Sequence, residues 1–557
     1  MKMKIRNIII ATLAVWATLT ACSDAFLDNP PQDSLVDANF YKTDAQVLAG
    51  TAPLYSAAWK SYVDKANFKL GDIRGGTVFR AWGDRDAVEF NITDVSEANE
   101  QAYQAFFIII GQANLNIYNI NTYAGPEVSS EIKKHAIAEA RFMRATAYTH
   151  LVMNYEEVPI IENNLDLLFD PSKVRKNTKE SIWEFIKRDY EFAAENLLEE
   201  SVLPGRITKW SAEGMLARTH LAMAGLGKGP GARDQAHLDA AMEYADRVIT
   251  MSGKQLLSDY ANLFLYPYDN NNESLFELEW VYSTAPNAYE ASNTMVSQIT
   301  YSNDIAANGD GWGGDLSATW WLLSMYDGLM VDDGATPGFT LDQRLKASFM
   351  LPGFTYPEIH LNSTGEQLVF PNPGTGDNNY ASIKKYVIGK VAGVTDKQRY
   401  PNNTYMLRLA EMYLIYAEAA LGNGTSTSDA KALQYFNEVH QRAGLPQFTD
   451  PLTWDDIFEE RMKEFAMESM AWYDLVRLHY YDPDKAYAII NAQDRGLFVA
   501  KPNQWPNPTA WTFTKTSWFT NRSANASSGN FRLPLPASEV SQAPGLSLEA
   551  VAYNFSN

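Results

Sequence analysis

Two clusters in the chain combine flat rings with fixed polar groups. The first runs Gly71-Asp72-Ile-Arg74-Gly-Gly76 and continues through Arg80, Trp82, Asp84 and Arg85. Glycines, opposed charges and a tryptophan suit a polar ligand, because an indole covers C–H faces while carboxylate and guanidinium forks orient hydroxyls. The same residues equally suit a salt-bridged turn plugged by Trp82, and at this level both readings stand. The second cluster lies in residues 260–330, where 13 of 71 positions are Phe, Trp or Tyr, a density above the 13% of the whole chain. Tyr289, Tyr301 and Trp312 there have Asn, Ser, Asp and Gly for neighbours and are expected to be exposed, on loops that a rigid frame would present. Trp320 and Trp321 instead begin an amphipathic run that must bury at least one ring. Asp72, Arg80, Trp82, Tyr289, Tyr301 and Trp312 are therefore the candidate ligand-binding residues, for a flat, hydroxylated molecule.

Catalysis would need a constellation, and the sequence offers none. The seven histidines show no His-Glu-x-x-His spacing and no cysteine neighbours, so no zinc motif is present. No Gly-x-Ser-x-Gly elbow occurs, and Gly309-Asp-Gly311-Trp-Gly313-Gly314 reads as a turn, with no Lys-Ser/Thr to follow it. With 67 acids a pair of carboxylates can be drawn anywhere, so their number selects nothing. Asp269, Asn271 and Glu273 mimic the first ligands of a calcium loop, but Ser274 stands where glycine is required and no twelfth-position acid closes it. The expectation is a binding protein without catalytic residues, metal or cofactor, with a surface calcium ion left open.

Cys22 is the only cysteine in 557 residues. Exported proteins usually use cysteines in pairs, and here no pair can form. Lys2, Lys4 and Arg6 precede an uncharged apolar run from Ile8 to Ala21, too short for the roughly 20 residues that span a bilayer, so residues 1–21 read as a removed signal peptide. Leu19-Thr-Ala-Cys22 resembles a bacterial lipobox, which makes Cys22 the expected site of lipid attachment and a membrane tether. The formal charge of −21 becomes −24 once the three basic signal residues are gone. With no basic stripe, nucleic acid is excluded as a partner and a neutral ligand is favoured.

The elements that must position these residues are mostly helical. Residues 22–40, with adjacent Pro30 and Pro31, read as an extended leash, and 41–557 as the folded body. Thr43 or Asp44 caps a helix to about Tyr62. Pro126 and Glu127 open another, which Pro159 ends; Thr178 caps the next, and further helices begin at Ser211 and Asp239. Alanines at close-packing positions suit paired helices, so the fold class is mainly α: a degenerate tetratricopeptide-like scaffold of helical hairpins. About 260–400 is a loop-rich irregular insertion, marked by Asp269-Asn-Asn-Asn272 and Pro371-Asn-Pro-Gly374. Helices resume over Tyr405–Leu421 and Ala430–Ala443, a long one covers Asp455–His479, and the tail returns to loop.

Several phrases together resemble the SusD/RagB family. They are Ala138-Glu-Ala-Arg141-Phe-Met-Arg144-Ala with Tyr148 and Val158-Pro159, Leu216-Ala-Arg218, Leu407-Arg408-Leu-Ala-Glu411 with Tyr416-Ala-Glu418, and Arg442-Ala-Gly444-Leu445. Ile457-Phe-Glu459-Glu460-Arg461 with Glu464-Phe465 and Trp472-Tyr-Asp474-Leu-Val-Arg477 is the strongest, and Leu533-Pro-Leu-Pro536 resembles the closing segment, with Ala543-Pro544 where an asparagine-proline is expected. The resemblance implies a lipid-anchored protein on the outer face of the outer membrane that captures oligosaccharides, or in one branch peptides, for a TonB-dependent SusC-like transporter. It also implies that Asp72, Arg80 and Trp82, an acid followed eight residues on by an arginine and then a tryptophan, contribute to the sugar site. The charged residues Arg141, Glu411, Glu418, Glu460, Arg461, Asp474 and Arg477 lie inside apolar helices and are expected to be paired supports of the scaffold.

Overall fold

A computed structural model describes residues 40–165, 171–285, 288–331, 337–371, 380–515 and 523–555; Cys22 and the leader lie outside them. Thr43 caps α1 (Asp44–Thr51), its side chain accepting from the Gln46 amide. The helix expected to reach Tyr62 breaks instead into short 3₁₀ turns, because Pro53 follows at once and Ser56 leaves helical backbone space; only Lys60–Lys65 resumes it. Next comes α2 (Glu97–Tyr123), at 27 residues the longest described helix, in a stretch for which the sequence suggested none. Ala102, Phe106, Ile109, Ile110 and Ala113 recur on one side of it and are buried.

Ser129, rather than Pro126 and Glu127, starts α3 (Ser130–Tyr155). The remaining scaffold helices are α4 (Lys179–Asn196), capped by Thr178, α5 (Lys209–Met223), α6 (Gln235–Met251), α7 (Leu409–Leu421) and α8 (Ala430–Arg442). Each of these packs on the next in the chain, forming successive antiparallel pairs. Alanines lie fully buried where the helices meet: Ala138, Ala140, Ala145 and Ala147 on α3, Ala212 and Ala217 on α5, Ala241 and Ala245 on α6. Their small side chains let neighbouring backbones close together. Among the described residues no helix is long and apolar enough to cross a membrane.

The helix expected over Asp455–His479 is two: α9 (Trp454–Glu464) and α10 (Ala471–His479). Met467 and Ser469 between them adopt left-handed backbone, at φ 62° and 60°. Such a conformation is strained for residues with a β-carbon and persists only when its surroundings hold it.

Over 260–400 the chain is a succession of 3₁₀ turns and short strands. Two ribbons tie this segment to the scaffold. In the first, β1 (Val78–Arg80) pairs antiparallel with β3 (Leu316–Ala318), Arg80 opposite Leu316. In the second, β2 (Ser274–Leu278) pairs with β4 (Thr404–Arg408), so the residues expected to begin a helix at Tyr405 are strand and α7 starts only at Leu409. The tail, expected to be loop, contains a further ribbon of β5 (Phe498–Pro502) and β6 (Trp511–Lys515). Trp505 is exposed and Trp511 buried; Trp518 and Phe519 lie outside the described residues.

The charges inside the helices are paired. Arg461 forks onto Asp474 at 2.8 and 2.9 Å, Arg477 binds Glu418 and Asp474, and Arg408 contacts Glu273, Glu464 and Glu468. Arg344 joins Glu460 and Glu464 to Asp342, and Glu411 receives Arg218 and Arg461. Arg141 is half-buried, 3.8 Å from Asp189 and stacked on Phe192. Burial alone would raise the Glu464 carboxyl, but Arg442, Arg408 and Arg344 together outweigh it and hold it down to about 2.

Candidate functional site

The β1–β3 ribbon brings the two sequence clusters together. Beyond its Arg80 end, the Ala81 amide donates to the Asp315 carbonyl at 3.0 Å, and the Asp315 carboxylate accepts from the Trp82 amide at 3.1 Å and from Arg80 Nε at 3.2 Å. Arg80 also reaches Asp84 at 2.7 Å, and Lys69 reaches the same carboxylate at 3.1 Å. Asp315 follows Trp312 by three residues, so Trp82 and Trp312 leave the ribbon from the same end. Trp82 is 77% exposed and Trp312 48% exposed.

Trp312 is fixed independently. Its amide donates to the Ser297 carbonyl at 2.8 Å, and its indole Nε1 donates to Asp310 at 3.0 Å. Asp310 is itself buried and accepts from the Ser297 hydroxyl. Gly313 explains the glycines around this tryptophan: a β-carbon there would lie 2.4 Å from the Ile299 backbone. They serve close backbone approach, as the turn reading expected, and hold one face of an indole toward solvent.

Not every candidate lies on this surface. Asp72 is fully buried. Its carboxylate accepts from the amides of Met467 and Ser469 at 3.0 and 2.9 Å and from the Thr77 hydroxyl at 3.1 Å, which is what holds the left-handed turn between α9 and α10. Burial pushes its pKa up to about 6 against the pull of those hydrogen bonds. Gly71 belongs to the same contact, since a β-carbon there would collide with the Ser469 backbone. Asp72 is thus a clamp between distant parts of the chain and does not orient a surface ligand. Arg74 is likewise buried, its guanidinium lying 3.9 Å over the Trp472 ring.

Tyr301 also departs from expectation. Its polar neighbours suggested exposure, yet its ring is buried edge-on against Phe370 at 4.9 Å. Tyr289 is half-buried: its hydroxyl donates to Gln398 at 3.0 Å, and the Lys60 ammonium sits 4.0 Å over its ring. Lys60 in turn donates to the Ser292 carbonyl, and burial lowers its pKa to about 8. Trp320 packs against Phe498 and Phe513, and Trp321 against Phe458. The surface that remains is Trp82 and Trp312, braced by Arg80, Asp84, Asp310 and Asp315. The three aspartates were not among the candidates, and for Asp310 and Asp315 it is their place beside Trp312 and Arg80 in the fold that reveals them.

The calcium-loop mimic does not form a cradle. Glu273 is buried between Arg408 and Arg442, Asn271 donates to the Tyr405 hydroxyl, and Asp269 accepts from the Asn403 amide. Among the described residues no three His, Cys, Asp or Glu side chains are grouped to hold a metal ion.

Comparison with known proteins places this geometry among relatives. The profile described as the SusD family matches residues 272–552, and one described as starch-binding, associating with the outer membrane, matches 25–221. A SusD-like protein of Bacteroides ovatus is 34% identical over 581 aligned positions, covering 99% of each chain. A crystal structure with xylogluco-oligosaccharide superposes with a TM-score of 0.80 at 32% identity, covering 92% of this chain and all of the other. At 19% identity, surface glycan-binding protein A from Bacteroides fluxus shares the fold, with a TM-score of 0.65 over 91% of this chain and 98% of its own.

Proposed function

Since this chain belongs to the SusD family, we propose that it is a cell-surface lipoprotein that binds oligosaccharides and passes them to a TonB-dependent, SusC-like outer-membrane transporter. One observation carries the reading: two exposed indoles, anchored separately by Asp315 and Asp310, leave the same end of one ribbon. Two exposed aromatic faces offer stacking to the C–H faces of sugar rings, and the Trp312 indole, held by Asp310, presents its face already ordered. Arg80, held between Asp84 and Asp315, braces the backbone from which Trp82 projects. The relative with xylogluco-oligosaccharide supports a glycan as the ligand class, and the net negative charge of the mature chain supports a neutral one.

Capture is by binding alone, and release is to the transporter. Lipid on Cys22 holds the protein at the outer membrane, and the leash up to residue 40 lets the folded body sit over its partner. The test is a panel of purified glucans and xylogluco-oligosaccharides set beside peptide mixtures, read by calorimetry and by assay for new reducing ends. Saturable glycan binding with no new reducing ends is expected. Binding confined to peptides, or cleavage of a bound glycan, overturns the reading.

A further inference from the structure

Far along the chain from the indoles, the hairpin of α5 and α6 brings two histidines face to face. His220, near the end of α5, and His237, near the start of α6, place their Nδ1 atoms 2.8 Å apart. Both rings are half-buried and reach solvent. Their orientations are set from outside the pair: His220 stacks on Tyr244 at 5.7 Å and 21°, and the Asp234 carboxylate caps α6 at the His237 amide. Two ring nitrogens at this distance share one hydrogen, one imidazole donating to the other. The same convergence suits a metal ion once that hydrogen moves to the remote nitrogen of its own ring, a tautomer shift with no net proton release.

We propose that His220 and His237 form a two-histidine site for a borderline divalent transition metal, Zn²⁺ or Cu²⁺, whose other positions are filled by water. Imidazole nitrogen is a preferred donor for these ions. Zinc–nitrogen bonds of about 2.0–2.1 Å at a tetrahedral angle need the two nitrogens about 3.3 Å apart. With ring centroids 5.1 Å apart the two nitrogens face each other head-on, so the rings must open by about half an ångström and swing off their common line by about 35° each to meet one ion. Both imidazoles are half-buried, and each must present a neutral ring nitrogen to bind a metal. Glu184 acts through space on both rings and Asp234 on His237, offsetting Lys187 and Lys228 nearby. With two protein ligands and no third in place the site is open and exchangeable, and occupancy would brace α5 against α6.

Zn²⁺ titration of the mature protein by calorimetry tests this, alongside His220→Gln, His237→Gln and the exposed His360→Gln as a control. One equivalent should bind to the native protein and to His360→Gln, and each of the other two variants should weaken binding by at least about tenfold. Should either variant fail to fold by circular dichroism, the paramagnetic resonance spectrum of Cu²⁺ on the native protein decides. Coupling to two imidazole nitrogens is expected there. Absence of stoichiometric Zn²⁺, undiminished binding in a folded His220→Gln or His237→Gln, or a Cu²⁺ spectrum without imidazole coupling overturns the proposal.

Discussion

Truncating the two exposed indoles should weaken glycan binding unequally, and the structure sets the order. An indole side chain carries up to about 250 Å² of coverable surface. Trp82 is 77% exposed, and a sugar ring covers one of its two faces, or about 95 Å². At about 25 cal/mol per Å² that contact contributes about 2.4 kcal/mol, a factor of about 50 in affinity. Trp312, at 48%, offers about 60 Å² by the same reckoning, hence about 1.5 kcal/mol and about tenfold. Trp82→Ala should leave stability within about 0.5 kcal/mol, whereas Trp312→Ala also strips the indole N–H from the buried Asp310 carboxylate and should cost about 1–3 kcal/mol. The assay is calorimetric titration of each variant with a glycan that the native protein binds, with thermal unfolding run in parallel. Unchanged affinity in both variants refutes the assignment of the surface. A larger loss from Trp312→Ala than from Trp82→Ala refutes the argument from exposure.

Three other outcomes follow from the same structure. Asp72→Asn should cost about 1–3 kcal/mol of stability, because an amide group turned toward the Met467 or Ser469 N–H leaves one buried donor unmatched; denaturant unfolding measures it, and a native midpoint would remove Asp72 from its clamping role. Acid should loosen the protein through Glu464: its folded pKa of about 2 lies below the ordinary 4.5, so its contribution is complete above pH 4.5 and is lost as pH falls toward 2. Asp72 runs the other way, its raised folded value costing stability as pH rises from 3.8 to about 6. Unfolding curves at pH 7, 5, 3.5 and 2 separate the two, Asp72 acting between 7 and 5 and Glu464 below 3.5, and constant stability from pH 3.5 to 2 contradicts the carboxylate network as a source of cohesion. Cys22→Ser should move the protein from the membrane pellet to the soluble fraction on cell fractionation; retention in the pellet would mean that something other than lipid on this residue holds it there.

Much of the helical frame was legible because its signals are local. Thr43 and Thr178 cap where side-chain chemistry says they should, and the alanine-rich stretches pack as their periodicity implies. What escaped depends on partners far away in sequence. α2 contains Ile108, Ile109 and Ile110 in a row with several asparagines, residues of indifferent helix propensity, and its helix is earned by packing against α3. The break between α9 and α10 has no glycine or proline to announce it; hydrogen bonds from Asp72 hold Met467 and Ser469 in their unusual conformation. Residue type and spacing picked out Trp82 and Trp312, which the structure leaves exposed, but could not tell Asp72, turned inward, from an acid turned outward. Tyr301 misled for a related reason, since polar neighbours in sequence are no guide to the apolar Phe370 that meets it in space.

The clamp at Asp72 ties the order of assembly to the length of the chain. A turn closed by hydrogen bonds to a group 395 positions upstream cannot mature until both stretches are available together. Early and late helices are thereby joined across most of the length of the chain. What reads locally as an acid in a glycine-rich loop thus decides when the far end of the chain can take its final shape.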